Sequence, residues 1–472
     1  MEPMLVAGAW VVGSHGRPVV NPYKGEQVFE VSQAGPPEIE GAIQHASSAF
    51  RSAREMPSYQ RADILERIAA GLKGRIGEFA SLITRETGKP AMFSRAEVER
   101  AVFTFTTASE EAKRNEGTIL PLDMTSGTLG RKALIERFPV GPVSAITPFN
   151  FPLNLVAHKM APAIAVGCPF VLKPSSNAPV TALRLGLLAL ESGLPGPMLS
   201  ILPCLSGEAE QLVTDERLKL ISFTGSPGVG WSLKIKAGKK RVLLELGGNA
   251  AVIVHSDANL EEAVRRVILG AFGNAGQSCI STQRLYVQEE VFADLTEALL
   301  ASVRELKVGD PEEESTVVGP MITEEAARKS QEWIREAKEG GAEILEGGGR
   351  NGALLEPTVL TGVNPSLKVS CQEVFAPVLI VEPYREIEEA FERVNASDFG
   401  LQAGLFTFDA RIIFRAFREL EVGGVIINDS SAFRMDHMPY GGVKDSGFGR
   451  EGVRYAMEEM TEPRLLALNF PS

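Results

Sequence analysis

From Val143 onward the chain alternates short apolar runs with helical patterns, and this rhythm constrains the fold more than any single residue. The runs are Val143-Ser144-Ala145-Ile146, Phe170-Val171-Leu172, Leu199-Ser200-Ile201-Leu202 and Leu220-Ile221-Ser222-Phe223. Strands alternating with helices predict a parallel sheet covered by helices. A second series starts at Ala251-Val252-Ile253-Val254, passes through a helix from about Asn259 to Phe272 and resumes at Leu285-Tyr286-Val287, predicting a second α/β unit. The boundary is expected near Leu246-Gly247-Gly248, where a strand meets a glycine pair. Ahead of Val143, Ile39, Ile43, Ala46 and Phe50 recur at helical spacing, as do Ile64, Ile68 and Leu72, so the first 115 or so residues are expected to be mostly helical.

Size and charge narrow the function. At 472 residues the chain exceeds what one compact core serves, so two or three folded units are expected. A net charge of -12 disfavours a general nucleic-acid or anionic-membrane surface. No apolar stretch reaches the roughly 18 to 20 residues of a membrane helix, and Met1-Glu2-Pro3-Met4 lacks the regions of a signal peptide, which predicts a cytoplasmic protein. Cys168, Cys204, Cys279 and Cys371 form no CxxC pair, and there are only five histidines, so neither a disulfide framework nor a metal site is expected. Cys168 and Cys204 adjoin apolar runs and read as buried. Gly347-Gly348-Gly349-Arg350-Asn351-Gly352 reads as a surface hairpin turn.

Ligands bind beyond the carboxyl ends of the strands in open parallel sheets, and several runs place chemistry there. Thr147-Pro148-Phe149-Asn150-Phe151-Pro152 follows a strand and fixes Asn150 between prolines, where its amide suits a developing oxyanion; a helix-capping turn asparagine is the plainer reading. Lys173, in Lys173-Pro174-Ser175-Ser176, ends another strand and could reach ribose hydroxyls or phosphate. Phe223-Thr224-Gly225-Ser226-Pro227 closes a strand and opens a helix, offering free amides to a pyrophosphate without matching GxGxxG. Gly276-Gln277-Ser278-Cys279 sets a thiol among small residues, downstream of the Glu245 carboxylate in Glu245-Leu246-Gly247-Gly248. Together they suggest a nucleophile and a base, although a lone cysteine is also an ordinary core residue. Glu373 and Phe375 fall on one side of an extended segment. The glycine-dense run 439–452 is expected to be a closely packed loop at a site or interface.

Taken in order, Pro148-Phe149-Asn150-Phe151-Pro152, Lys173-Pro174-Ser175, Phe223-Thr224-Gly225-Ser226, Glu245-Leu246-Gly247-Gly248, Gly276-Gln277-Ser278-Cys279, Glu373-Val374-Phe375-Ala376-Pro377 and Pro439-Tyr440-Gly441-Gly442 resemble the aldehyde dehydrogenase superfamily. The resemblance runs over nearly the whole chain; Phe149 replaces the family's commoner tryptophan. It implies an α/β fold with a Rossmann-like dinucleotide-binding domain (residues 1–117 and 135–246), a catalytic domain (247–452) and a β oligomerisation arm (118–134 and 453–472), assembled as a homodimer or homotetramer. It further implies that Cys279 attacks the aldehyde, that Asn150 and the Cys279 amide hold the oxyanion, and that Glu245 activates water against a thioester. Glu451 matches a carboxylate of proton transfer. The cofactor positions by the same matching are Thr147, Pro148, Lys173, Ser175, Ser176, Gly225, Ser226, Leu246, Gly247, Glu373 and Phe375. Ser176 stands where many members carry a glutamate that repels a 2′-phosphate, so NAD is expected with NADP also accommodated.

Asn150-Phe151-Pro152-Leu153-Asn154-Leu155-Val156-Ala157-His158-Lys159 and Asn428-Asp429-Ser430-Ser431-Ala432-Phe433-Arg434 are similar to the lactaldehyde, non-phosphorylating glyceraldehyde-3-phosphate and phosphonoacetaldehyde dehydrogenase group. Its substrates are small aldehydes, polar or anionic, and Arg100, Arg434 and His158 are the expected cationic mouth. Two other readings are a CoA-acylating enzyme, against which Glu245 argues, and a catalytically silent binding or structural protein, against which Cys279, Asn150 and Glu245 together argue.

Overall fold

The computed structural model describes residues 1–114 and 117–470. Two large sheets carry the fold, which is mixed α/β. In the first, five parallel strands run in the order Leu199–Ile201, Phe170–Lys173, Val143–Ile146, Leu220–Thr224, Arg241–Glu245. Antiparallel strands extend both edges: Met4–Val6 and Ala9–Val11 at one, Gly447–Phe448 at the other. The second sheet orders Glu343–Glu346, Thr358–Thr361, Val378–Tyr384, Arg284–Gln288, Ala251–Val254, Gln402–Phe406, Gly424–Ile427, parallel except at the first pair.

The continuous apolar runs follow from burial on both faces. In the second sheet Val252, Val254, Leu285 and Val287 point into one core, while Ala251, Ile253, Tyr286, Ala403 and Leu405 point into another. In the first sheet Leu220 faces the core shared with Phe170 and Leu172, whereas Ile221 and Phe223 face the opposite layer. Each large apolar side chain so buried contributes about 1.5–3 kcal/mol, and a one-residue slip would exchange the faces.

The amino-terminal region departs from the mostly helical expectation. Helices Pro36–Glu55, Ser58–Gly74, Ile76–Thr87 and Ala91–Ala112 are present, but four short strands precede them, including the hairpin Gly16–Val20 with Gln27–Ser32. Strands of three to six residues leave too little periodicity to read. The glycine-dense run near 350 is a small hairpin, Arg350–Asn351 with Leu354–Leu355. The chain crosses between sheets from Glu245 to Ala251, yet Gly447–Phe448 returns to pair with Arg241–Glu245, and helix Val453–Glu459 packs on helix Asn154–Val166. A third sheet of Thr118–Pro121, Arg131–Pro139 and Thr461–Asn469 stands apart; residues 115–116 and 471–472 lie outside the described ones. Among the described residues no helix is long and apolar enough to cross a membrane.

Register puts the chemistry at one edge. Ile146 pairs with Lys173 and Phe223, and Thr224 pairs with Glu245, so the segments carrying Thr147, Asn150, Lys173, Gly225, Ser226 and Glu245 emerge side by side.

Candidate active site

Helix Leu260–Phe272 ends in a turn where Asn274, Ala275 and Gly276 are successively left-handed, at φ 53°, 54° and 66°. Two consecutive non-glycine residues in that region are costly and persist only where surrounding contacts enforce them. Gly276 is also required sterically, since a Cβ there would lie 2.1 Å from the Ala376 carbonyl oxygen. The turn delivers Cys279, half-buried, into a cavity of about 810 Å³ that Asn150, Glu245, Glu373 and Arg434 also line. Gly248 backs the thiol: its Cβ would meet the Cys279 carbonyl oxygen at 2.2 Å.

The three residues expected to carry the chemistry therefore share one chamber. Asn150 Nδ2 donates to the Gln277 carbonyl at 3.1 Å, leaving one of its two N–H groups for a ligand. The Cys279 N–H has no partner among the described residues. Burial pushes the Cys279 thiol up to about 11, against a Tyr440 hydroxyl 3.1 Å from the sulfur that lowers it. Glu245 is 3% exposed and neither carboxyl oxygen has a partner; burial, and then the charge of Glu451, raise its pKa well above the carboxylate range. Glu451, though buried, is held near 2 by Lys159, whose Nζ donates to it at 2.6 Å, and by His158 and Arg434 nearby. The two neighbouring carboxyls are thus pushed in opposite directions, the pattern of divided acid–base roles. The glycine run packs here as expected: a Cβ on Gly441 would lie 2.9 Å from Glu245 Oε1.

The cationic mouth is only partly as expected. Arg434 lines the cavity, stacks over the Tyr440 ring at 3.6 Å and leaves its buried Nε–H without a hydrogen bond, Asp436 being 3.9 Å away. Arg100 also lines it, held through two hydrogen bonds by Asp436 at 2.6 and 3.2 Å. His158 does not reach the cavity: it is 1% exposed, with Nε2 2.7 Å from Asp436 and Nδ1 3.3 Å from Arg434. Burial, then Arg434, lower its pKa. His158 therefore sits behind Arg434 and does not itself line the cavity.

The other end of the cavity is more sparsely bonded. Pro148, Gly225, Ser226, Leu246, Gly247 and Phe375 line it. Ser226 opens helix Pro227–Lys236 with proline in its first turn, so the leading amides stay free. A Cβ on Gly247 would strike Glu373 Oε2 at 2.4 Å, and the Gly248 amide donates to Glu373 Oε1 at 3.0 Å. Burial lifts Glu373 to about 7 against that bond. Phe375 is left-handed at φ 54°, edge-on to Phe149 with centroids 6.0 Å apart. Thr147 Oγ1 is buried without a partner. Lys173, Ser175 and Ser176 lie outside the lining; Lys173 Nζ donates only to the Pro174 carbonyl, at 3.3 Å, and Ser175 Oγ accepts from the Asn177 amide.

The aldehyde dehydrogenase family model matches residues 10–466. The chain belongs to the aldehyde dehydrogenase family. It is 45% identical over 467 residues to the 3-sulfolactaldehyde dehydrogenase of Priestia aryabhattai, covering 99% of this chain and 98% of that one. Among solved structures, aldehyde dehydrogenase 21 from Physcomitrella patens, crystallised with its reaction product succinate, superposes with a TM-score of 0.97 at 45% identity, covering 99% of this chain and 98% of that one. The glyceraldehyde-3-phosphate dehydrogenase GapN of Methanocaldococcus jannaschii, complexed with NADP, gives 0.93 at 38% identity over 97% and 100%.

The residues around the cavity that reasoning from sequence passed over are those bonded to its expected residues. Asp436 bonds Arg100, His158 and Asn154 Nδ2, the last at 3.2 Å. Its partners are scattered along the chain, so no local motif marks it. Lys159 lies on the same helix as His158. Tyr440 had a signal, an aromatic before a glycine pair.

Proposed function

We propose that this chain oxidises a small anionic aldehyde to its carboxylic acid with NAD, NADP also being accommodated, through a thiohemiacetal and a thioester on Cys279. The observation that carries it is the convergence of Cys279, Asn150 and Glu245 in one cavity that Arg434 also lines. The cofactor end fits a dinucleotide: free helix amides at Ser226 suit a pyrophosphate, Glu373 suits a ribose, and Phe375 offers a ring face. Lys173, Ser175 and Ser176 are the proposed adenosine-side contacts, with Pro148, Leu246 and Gly247 shaping the wall and Thr147, whose buried Oγ1 has no partner, a further proposed cofactor residue behind it. When bound, the nicotinamide accepts a hydride.

Cys279 must first lose the proton that burial holds on it, then attack the aldehyde carbon. The free Asn150 N–H and the Cys279 amide converge on the resulting oxyanion, a donor pair whose loss costs about 10²–10³ in rate per member. Glu245 must ionise before it can take a proton from water attacking the thioester; Arg434 and Lys159 favour that form while burial and Glu451 oppose it. Glu451 is the proposed onward carrier.

The anionic preference rests on Arg434 and Arg100, and on three relatives, two named for a sulfonated and a phosphorylated aldehyde and one holding the dicarboxylate succinate as product. Residues 1–117 and 135–246 are the proposed dinucleotide-binding domain and 247–452 the catalytic one. The arm, 118–134 with 453–472, exposes Ile119, Leu465, Leu466 and Phe470, apolar surface suited to a second copy in a dimer or tetramer. The proposed compartment is the cytoplasm.

Turnover with NAD and with NADP, across 3-sulfolactaldehyde, succinic semialdehyde, glyceraldehyde 3-phosphate, lactaldehyde and a plain alkanal, tests this. Anionic aldehydes should react best, and Arg434→Gln should erode that preference about ten- to hundredfold. Equal preference in both proteins contradicts it.

A further inference from the structure

Tyr440 has no role in the reading above, yet its hydroxyl is the polar group that contacts the reactive sulfur. The Oη lies 3.1 Å from Cys279 Sγ, and the residue is 4% exposed, so water cannot replace the contact easily. Behind the ring the Arg434 guanidinium stacks at 3.6 Å from the centroid. A phenylalanine would fill the same space and keep the stack, so packing alone does not require the oxygen. Either atom can donate while the thiol is protonated. Once the thiolate forms only the phenol has a proton to give, and a hydrogen bond to a charged acceptor is about twice as strong as a neutral one.

Resting on the reading of Cys279 as the nucleophile, we infer that Tyr440 is a catalytic hydrogen-bond donor to the Cys279 sulfur, stabilising the thiolate before attack and again when it departs from the hydrolysed thioester. Tyr440 transfers no proton in this role; the thiol proton leaves to water in the cavity. The phenol is held protonated because burial, then the adjacent Cys279, raise its pKa well above the ordinary value. The titratable groups facing the sulfur are Glu373 and Glu245, which oppose a thiolate when ionised, and Arg434, which favours it. Of these groups and the phenol, it is the Tyr440 hydroxyl that stands in hydrogen-bond contact with the sulfur.

The experiment is alkylation of Cys279 by iodoacetamide as a function of pH, followed by mass spectrometry of the Cys279 peptide, in the full protein and in Tyr440→Phe. Thiolate displaces iodide, so the rate reports thiolate without any aldehyde. The variant's profile should move about one to two pH units to the alkaline side, with alkylation at neutral pH slower by on the order of ten- to hundredfold. Thermal melting of both proteins checks that the variant folds, and kcat/KM for the best aldehyde should fall with the alkylation rate. Superimposable alkylation profiles overturn the inference, as does a Cys279 that resists alkylation equally in both. If the profile shifts while neither protein oxidises any aldehyde, Tyr440 stabilises the thiolate but the proposed activity fails, and the catalytic part of the inference with it.

Discussion

The layer of side chains behind Arg434 and the part of the cavity around Glu373 are built on opposite principles. Around Glu451 and Asp436 the side chains are buried and bonded to one another: Lys159 with Glu451, Arg100 and His158 with Asp436, and Arg434 between the two carboxylates at 3.4 and 3.9 Å. Near Glu373, Phe375 and Ser226 the side-chain bonds are few: the Gly248 amide holds Glu373, Gly247 packs against its carboxylate, and the Ser226 side chain caps no amide. A site that must control protonation needs charges fixed in advance, because burial otherwise neutralises them. A site that must admit and release a ligand each cycle leaves its bonds for that ligand.

The comparison breaks most visibly at the nucleophile. Cys279→Ala should abolish oxidation, by at least about 10³-fold, since the other thiol lining the cavity, Cys371, is exposed and its sulfur is turned to the Ser366 carbonyl at 3.6 Å; steady-state turnover checks it. Next comes Asp436→Asn. Burial opposes the Asp436 charge, but His158 and Arg100 hold its pKa well below the carboxylate range, so the ionised form is built into the fold. Losing it should destabilise the protein by about 3 kcal/mol and raise KM for anionic aldehydes more than for a neutral alkanal. The sign for pH follows: stability from Asp436 is present at neutral pH and is lost only under strong acid. Denaturant unfolding at neutral pH measures the loss.

In the sparsely bonded part effects should be smaller. Glu373 is lifted to about 7 by burial, so it is partly protonated at neutral pH and gains its charge as pH rises. KM for NAD should therefore fall a few-fold as pH rises through about 7, and Glu373→Gln should flatten that dependence. Steady-state kinetics across pH reads it, and a flat wild-type profile would remove the contrast between the two regions.

Sequence legibility divides along the same line. The parallel strands were readable because each is a continuous apolar run covered on both faces, as with Val252 and Ile253 pointing into different cores. Cys279, Asn150 and Glu245 were readable as residues at strand ends or in glycine turns. The amino-terminal strands were not, since three residues such as Met4–Val6 carry no period and gain their place only by pairing with Leu199–Ile201 through Leu5 and Ile201. Asp436 and the burial of His158 were illegible for a different reason. Their meaning lies in partners from helices Ala91–Ala112 and Asn154–Val166, contacts that no spacing along the chain announces.

The central claim is that Cys279 carries the acyl group and Glu245 removes it. Rapid mixing of Glu245→Gln with NAD and the best aldehyde tests it most directly, reading reduced nicotinamide and the mass of the Cys279 peptide together. A burst of about one equivalent per site should appear, with an acyl group trapped on Cys279, followed by turnover about 10²–10⁴ slower than in the unaltered protein. Unchanged multiple turnover, or a burst with no adduct on Cys279, would contradict the account.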